Sequence, residues 1–196
     1  MGILSPMNPL EGVLRRCGAT MAVRGGRPIA LHFGSPATET AVCRSHVGLA
    51  DRGQRVTYEL RGAPDDVERA LASLPEGDWF ERLGPERAIV RCEPMESAAS
   101  HDAMADAGGT VLELEGKYAA VGLIGPRSKD VLLAAQVDTP AIVVQEGENA
   151  FEILVAAARG EALWERLLRA GEPFEIACVG AEALEHLAVS EHLPRR

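Results

Sequence analysis

The stretch AVCRSHVGLADRG, residues 41–53, places a serine, a histidine and an aspartate close together in the chain. Ser45, His46 and Asp51 are the residue types of a catalytic triad, in which the serine bonds the histidine and the histidine bonds the aspartate. Ser45 and His46 are adjacent near the end of a predicted helix, where neighbouring side chains point about 100° apart. Side chains that point apart in this way cannot bond each other as a triad requires, and no G-x-S-x-G motif supports a triad.

A structural role explains Asp51 better. Short polar side chains at turns commonly accept hydrogen bonds from nearby backbone N–H groups. We therefore expect Asp51 to be a joint residue where the helix turns into a strand, with Gly48 ending the helix. Contact of Asp51 with a ligand is the alternative.

The four cysteines are too widely spaced to form a recognisable metal or redox motif. Cys17, Cys43, Cys92 and Cys178 include no C-x-x-C pair. Zinc sites and dithiol motifs normally contain such pairs. We expect reduced thiols, no metal site and a cytoplasmic protein.

Composition limits the classes of function. The chain has 196 residues, 46% of them hydrophobic, and a formal net charge of -9. That length can bury a core, while the acidic balance argues against a nucleic-acid partner, which would require a clustered basic face. No apolar run approaches the ~20 residues that span a bilayer. The sequence start lacks the pattern of a secretory signal, so we expect no membrane association.

The first 53 residues are predicted to form a helix, a hairpin and a second helix that wrap the rest of the protein. Asn8-Pro9 is a typical helix start, and Ser35-Pro36 repeats the pattern for the second helix. Between them, Gly25-Gly26 supplies the positive φ angles of a tight hairpin turn.

From Gln54 onward the pattern of elements occurs twice. Residues 54–116 read as strand, helix, strand, strand, helix, strand, and residues 117–196 repeat this order and add a final helix. Two successive β-α-β-β-α-β units are typical of a duplicated ferredoxin-like arrangement. Each is short for an independent core, so we predict an α+β fold in which two ferredoxin-like units pack together as one compact body.

The N-terminal third resembles the aminomethyltransferase family, the T-protein of the glycine cleavage system. The resemblance rests on motifs spread over about fifty residues in one register: Gly18-Ala19-Thr20-Met21, Phe33-Gly34-Ser35, Glu39, Ala41-Val42 with Arg44, Gly48-Leu49-Ala50-Asp51 and Arg61-Gly62. Leu123-Ile124-Gly125-Pro126 and Phe151-Glu152-Ile153 continue it in the same order. The family's C-terminal barrel has no counterpart in this sequence.

The resemblance implies a function and a set of site residues. The family binds tetrahydrofolate in a central cleft and transfers a one-carbon unit to it from an amine. By position, Glu152 corresponds to the glutamate that holds the pteridine, and His186 replaces an arginine of the family. Asp78 falls near the catalytic aspartate, in a region that has lost about twenty-five residues. The implied cofactor is tetrahydrofolate, without a metal.

The middle of the chain also resembles the gamma subunit of heterotetrameric sarcosine oxidase, a relative with the same fold and size. The runs LGPERAIVR, IGPRSKDVL and FEILV carry this likeness. That subunit is an accessory part of a flavin enzyme. The second hypothesis for the function is therefore a non-catalytic subunit that docks onto an oxidase or demethylase. A third is a stand-alone sensor.

Each implied site residue also has an ordinary structural explanation. Glu152 lies in an alternating strand and could be a solvated, outward-facing carboxylate. Asp78 could be a loop aspartate. His186 and Glu182 are one helical turn apart and could form a surface pair. Whether the protein is an enzyme stays open at this point.

Overall fold

The computed structural model describes residues 8–137 and 140–191. The chain divides into two compact units, each with its own core. Unit 1 combines the described residues of 1–53 and 118–196, and unit 2 consists of residues 54–117. The N-terminal segment, predicted to wrap the body, is thus a structural part of unit 1.

Unit 1 contains five α-helices and seven β-strands among the described residues. In chain order they are α1 (Glu11–Arg16), β1 (Thr20–Arg24), β2 (Arg27–His32), α2 (Pro36–Ser45), β3 (Val47–Asp51), β8 (Tyr118–Ile124), α5 (Ser128–Ala135), β9 (Ile142–Gly147), β10 (Ala150–Ala156), α6 (Gly160–Gly171), β11 (Ile176–Val179) and α7 (Ala181–Glu191). The numbers missing from this series belong to unit 2.

The main sheet of unit 1 has the strand order β11-β3-β8-β10-β9. Without β3, the order of the other four strands would be that of a ferredoxin-like sheet. β3 pairs in parallel with β11 and antiparallel with β8. It therefore lies between the last and first strands of the ferredoxin-like order, β11 and β8. The hairpin β1-β2 forms a separate two-stranded sheet.

Strand β3 corrects the prediction of a turn after the second helix. Val47–Asp51 is buried along its whole length in the interior of the sheet. Gly48 is part of this strand and does not end the helix, which is followed by His46 as its C-cap. A Cβ atom on Gly48 would lie 2.5 Å from the Cys43 sulfur and 2.9 Å from Val179, so close packing explains the glycine.

The core of unit 1 lies between the main sheet and helices α5 and α6. Alternate residues of the central strands, among them Leu49, Val121, Leu123 and Ile153, join the fully buried Trp164 of α6 in one cluster. On the other face of the sheet, α2 packs on β3 and β11 and also contacts α7. The buried glutamate of the candidate site lies on this second face of the sheet.

Unit 2 has the element order of a complete ferredoxin-like fold. Its elements are β4 (Val56–Arg61), α3 (Pro64–Ala72), β5 (Trp79–Gly84), β6 (Arg87–Cys92), α4 (Ser97–Asp106) and β7 (Thr110–Glu113). The sheet order β5-β6-β4-β7 is antiparallel throughout, as that fold requires. Val67, Leu71 and Met104 of the helices pack on Leu60 and Val90 of the strands.

Strand β4 is buried on both of its faces from Val56 to Leu60, although apolar and polar residues alternate along it. Thr57 and Glu59 are 7% and 3% exposed. Glu59 forms ion pairs with Arg61, at 2.8 Å, and with Arg87. Burial by itself would raise the pKa of Glu59, but the two guanidinium groups outweigh it and the pKa is lowered.

The fold-class prediction is confirmed: the protein is α+β and built from ferredoxin-like units. In the part of the chain that the structure describes, no helix has the length and apolar content needed to cross a membrane.

Candidate functional site

Glu152 is buried in the middle of strand β10, at 0% exposure. Its strand neighbours in register are Gly122 on β8 and Val144 on β9. Because side chains alternate along a strand, Glu152 points away from the face that Phe151 and Ile153 share with α5 and α6. The structure therefore excludes the solvated, outward-facing carboxylate that the strand pattern allowed.

Two further charged side chains lie on the same side of the sheet. Arg52, just beyond β3, extends its Cγ and Cδ atoms to 3.1 and 3.3 Å from the position that a Cβ atom on Gly122 would occupy. Its guanidinium Nη2 lies 3.5 Å from a carboxylate oxygen of Glu146 on β9. The two side chains are only 13% and 17% exposed. Arg52, Glu146 and Glu152 thus form a mostly buried charged cluster, here called the Glu152 face.

Asp51 makes backbone and side-chain contacts at the end of β3. Its carboxylate accepts hydrogen bonds from the Gly53 N–H, at 2.8 Å, and from the Asn8 side chain, at 2.5 Å. Asn8 also donates to the carbonyl of Pro28 and accepts from the N–H of Leu10, which starts α1. Asp51 therefore links β3, the hairpin and the first helix.

The serine and histidine of the opening motif are engaged separately. Ser45 donates to the carbonyl of Ala41, one turn earlier in α2, at 2.9 Å. His46 lies 3.5 Å from a carboxylate oxygen of Glu175. Asp51 in turn bonds Asn8 and Gly53. Among the contacts given for the described residues, Ser45, His46 and Asp51 are therefore not joined as a catalytic triad.

Asp78 lies in unit 2, immediately before β5. The hydroxyl of Ser100, in α4, is 2.6 Å from one carboxylate oxygen of Asp78 and 3.0 Å from the carbonyl of Glu96. Ser100 is fully buried, and the other Asp78 oxygen is buried with no hydrogen-bond partner among the residues that the structure describes. Burial raises the pKa of Asp78, against the opposing Ser100 bond, and the nearby Glu96 raises it further.

A single hydroxyl proton cannot serve both acceptors of Ser100. If Asp78 is protonated, it donates to Ser100 while Ser100 donates to the Glu96 carbonyl, and both short contacts are hydrogen bonds. If Asp78 is ionised, one of the two contacts lacks a proton. The protonated form can satisfy both short contacts, and burial raises the pKa of Asp78 in the same direction, although a bond that Ser100 donates to the ionised carboxylate opposes this shift.

The three residues implied by the resemblance do not form one cluster within a unit. Glu152 and His186 belong to unit 1 and Asp78 to unit 2. His186 is exposed on α7, and Ala183 is the buried residue among residues 181–188 of that helix. Within the described residues, no group of three or more histidine, cysteine, aspartate and glutamate side chains could hold a metal ion.

Glu39 is a buried carboxylate whose role the sequence did not reveal. It is 5% exposed and accepts the N–H groups of Phe33, at 2.7 Å, and Gly180, at 2.8 Å. It thereby connects the end of the hairpin to the start of α7. Its position in the first turn of α2, three residues into the helix, was the available signal, since acidic residues there commonly bind backbone N–H groups.

Comparison with known proteins supports the resemblance found in the sequence. No family model matches the chain. An aminomethyltransferase from Streptomyces avermitilis is 25% identical over 94% of this chain. The glycine cleavage system aminomethyltransferase T from Bartonella henselae superposes on 95% of the chain with a TM-score of 0.76, at 20% identity. The chain is aminomethyltransferase-like in sequence and fold.

The aminomethyltransferase-like chain is shorter than these relatives. It spans 62% of the Streptomyces protein and 63% of the Bartonella protein. A chain of the heterotetrameric sarcosine oxidase from Corynebacterium sp. U-96 matches 87% of this chain with a TM-score of 0.59 and 18% identity. In that comparison 97% of the oxidase chain is covered, so the two are similar in extent.

Proposed function

We propose that this aminomethyltransferase-like protein binds tetrahydrofolate, with Glu152 holding the pterin. The observation that carries the proposal is the complete burial of the Glu152 carboxylate opposite Gly122. A carboxylate can accept two N–H bonds from an amino-pyrimidine edge, and such charge-assisted bonds are among the strongest available to a protein. The glycine leaves backbone surface beside the carboxylate, on which a flat ring can lie.

The cost of burying Glu152 supports a binding role. An ionised group removed from water is expensive even when it is paired, and hydrophobic residues of similar volume are often more stable. A polar residue at such a position in a strand is therefore better explained by recognition than by stability. Its place in the Phe-Glu-Ile strand motif agrees with the pteridine-binding glutamate that the resemblance implies.

The chemistry proposed for the bound folate is one-carbon transfer from a methylated amine or a glycine-derived aminomethyl group. Asp78 is the residue proposed to stabilise the positive charge that develops in this transfer. That role requires the ionised carboxylate, whereas burial and the nearby Glu96 raise the pKa of Asp78. Binding by Glu152 is consequently the better-supported half of the proposal.

Thermal unfolding with and without tetrahydrofolate tests the binding half. At 100 times its dissociation constant, a ligand adds ~2.7 kcal/mol to the free energy of unfolding. Glu152→Gln keeps the shape and removes the charge, and loss of a charged hydrogen bond weakens binding by about tenfold to a hundredfold. Glu165→Gln, on the exposed side of α6, is the matched control and should bind like the wild type.

Two negative results of this experiment have different meanings. If tetrahydrofolate does not stabilise the wild-type protein, the protein is not a folate binder. If it stabilises the wild type and Glu152→Gln equally, folate binds elsewhere and Glu152 has another role.

A non-catalytic accessory subunit is the second candidate. The similarity of fold to a chain of the heterotetrameric sarcosine oxidase supports it. The Asp78 contact favours it as well, because a carboxyl group engaged by Ser100 is poorly placed to act on a substrate. Purification of the protein with its natural neighbours, followed by measurement of flavin absorbance in the complex, distinguishes this role. A folate-binding protein that purifies without a flavoprotein would contradict it.

A further inference from the structure

The side chain of Arg52 lies over Gly122, the register partner of Glu152. The glycine at position 122 has no side chain, and the Arg52 methylene groups fill the space above it, at 3.1 and 3.3 Å from the position a Cβ atom would take. The Arg52 backbone N–H donates to the carbonyl of Ala120, at 3.0 Å, which fixes where the side chain begins. The arrangement is therefore built from strand pairing as well as from side-chain packing.

Glu146 holds the far end of the Arg52 side chain. The guanidinium group and the Glu146 carboxylate are 3.5 Å apart; Glu146 as a whole residue is exposed on β9, but the two side chains are only 13% and 17% exposed. Electrostatic attraction is stronger where water is excluded than at a fully exposed position. The pair therefore favours the conformation in which Arg52 lies over Gly122.

This conformation occupies the position that a ligand of Glu152 would need. Gly122 is the register partner of Glu152, so the space above Gly122 is the space directly beside the carboxylate. A planar ring that bonds Glu152 edge-on has to lie there. Arg52 methylene groups and a ligand ring cannot occupy the same volume.

Resting on the proposed function, we propose that Arg52 is a displaceable cover of the Glu152 site and that Glu146 holds the cover closed. Ligand binding then requires Arg52 to move off Gly122. The apparent affinity is lower than the intrinsic affinity by the fraction of molecules in which the cover is open. Weakening or strengthening the Arg52–Glu146 pair would change the open fraction, and with it the apparent affinity, without any change in the contacts to the ligand.

Calorimetric titration with tetrahydrofolate tests the cover in four proteins: wild type, Arg52→Ala, Glu146→Gln and Arg16→Ala. If the cover is closed in about nine molecules of ten, Arg52→Ala lowers the dissociation constant about tenfold. Glu146→Gln keeps Arg52 but removes its charged partner, so a smaller decrease is expected. Arg16→Ala removes an exposed arginine that pairs with Glu161 in the same unit and should change nothing.

The outcomes separate the cover from the proposed function. Equal or weaker binding by Arg52→Ala, with a wild type that binds, overturns the cover and leaves folate binding intact. Absence of binding in all four proteins overturns folate binding itself, and the cover with it. If Arg52→Ala does not fold, Glu146→Gln decides, because binding no tighter than that of the wild type refutes a cover held by Glu146.

Discussion

Replacement of Asp78 by asparagine should stabilise unit 2 at neutral pH. In the wild type, the ionised Asp78 leaves Ser100 with one proton for two acceptors, and the second carboxylate oxygen is buried with no partner in residues 8–137 and 140–191. The asparagine amide can donate to Ser100 while Ser100 donates to the Glu96 carbonyl. Asp78→Asn thus imitates the protonated carboxyl group at every pH.

The expected size follows from the hydrogen bond that the ionised form lacks. A neutral hydrogen bond contributes about 1 kcal/mol net, so Asp78→Asn should raise the free energy of unfolding at pH 7 by about that amount. With a urea slope near 2 kcal/mol/M, the midpoint should move by about 0.5 M.

The stabilisation by Asp78→Asn should depend on pH. The folded-state pKa of Asp78 is raised, so the folded protein binds this proton more tightly than the unfolded chain. The resulting stability is complete below the ordinary aspartate pKa and is lost as pH rises through the raised value. The advantage of Asp78→Asn over the wild type should therefore be greatest at neutral pH and should shrink as the pH falls towards about 4.

Fluorine NMR of protein labelled with 5-fluorotryptophan can follow each unit during urea unfolding. The chain has two tryptophans, Trp79 at the start of β5 in unit 2 and Trp164 in α6 of unit 1. The Trp79 signal should report the stabilisation. Glu81→Gln, an exposed change in the same strand, is the control and should stay within about 0.5 kcal/mol of the wild type.

Two results would refute this reasoning. One is an Asp78→Asn protein that is no more stable than the wild type at pH 7. The other is a difference of the same size at pH 4 and pH 7, because a contact that depends on ionisation must change with pH.

Two further carboxylates give opposite expectations. The lowered pKa of Glu59 means that its pairs with Arg61 and Arg87 stabilise the fold above the ordinary glutamate range, and that this contribution is lost as pH falls through the lowered value. Glu59→Gln should therefore cost about 1–2 kcal/mol at pH 7 and progressively less as the pH falls through the lowered pKa, measured by the Trp79 signal; equal stability at pH 7 would contradict this. Glu39→Ala removes the acceptor of two N–H groups, including that of Gly180, and should cost about 3 kcal/mol by the Trp164 signal. A loss below about 0.5 kcal/mol would show that water replaces Glu39.

The sequence predicted the repeated order of elements well because each element carries a local signal. Helices such as α3 and α6 have apolar residues at helical spacing, and the turns between strands contain glycine and proline. Strand β3 has no such signal. Its sequence, VGLAD, is short and holds a glycine, and burial on both faces removes the alternation by which strands are recognised. Its partner β11 is more than a hundred residues away.

The candidate site was predictable in part. The resemblance selected Glu152, but only the fold shows that the residue is fully buried, because burial depends on strands that are distant in sequence. The contacts of Asp78 depend on Ser100, a helix residue of ordinary type with no recognisable motif. Arg52 follows a strand that the sequence did not reveal, so its position over Gly122 could not be foreseen.

The position of β3 next to β8 has a consequence for how the chain folds. These strands are antiparallel neighbours, so β3 ends, at Asp51, on the same side of the sheet on which β8 begins, at Tyr118. A hairpin of 2–5 residues would normally join such ends, and unit 2 is inserted there instead. During synthesis, unit 2 can form from contiguous chain while β3 still waits for both of its neighbours. Unit 1 should consequently be the slower unit to fold, because its sheet closes only when β11 has been made.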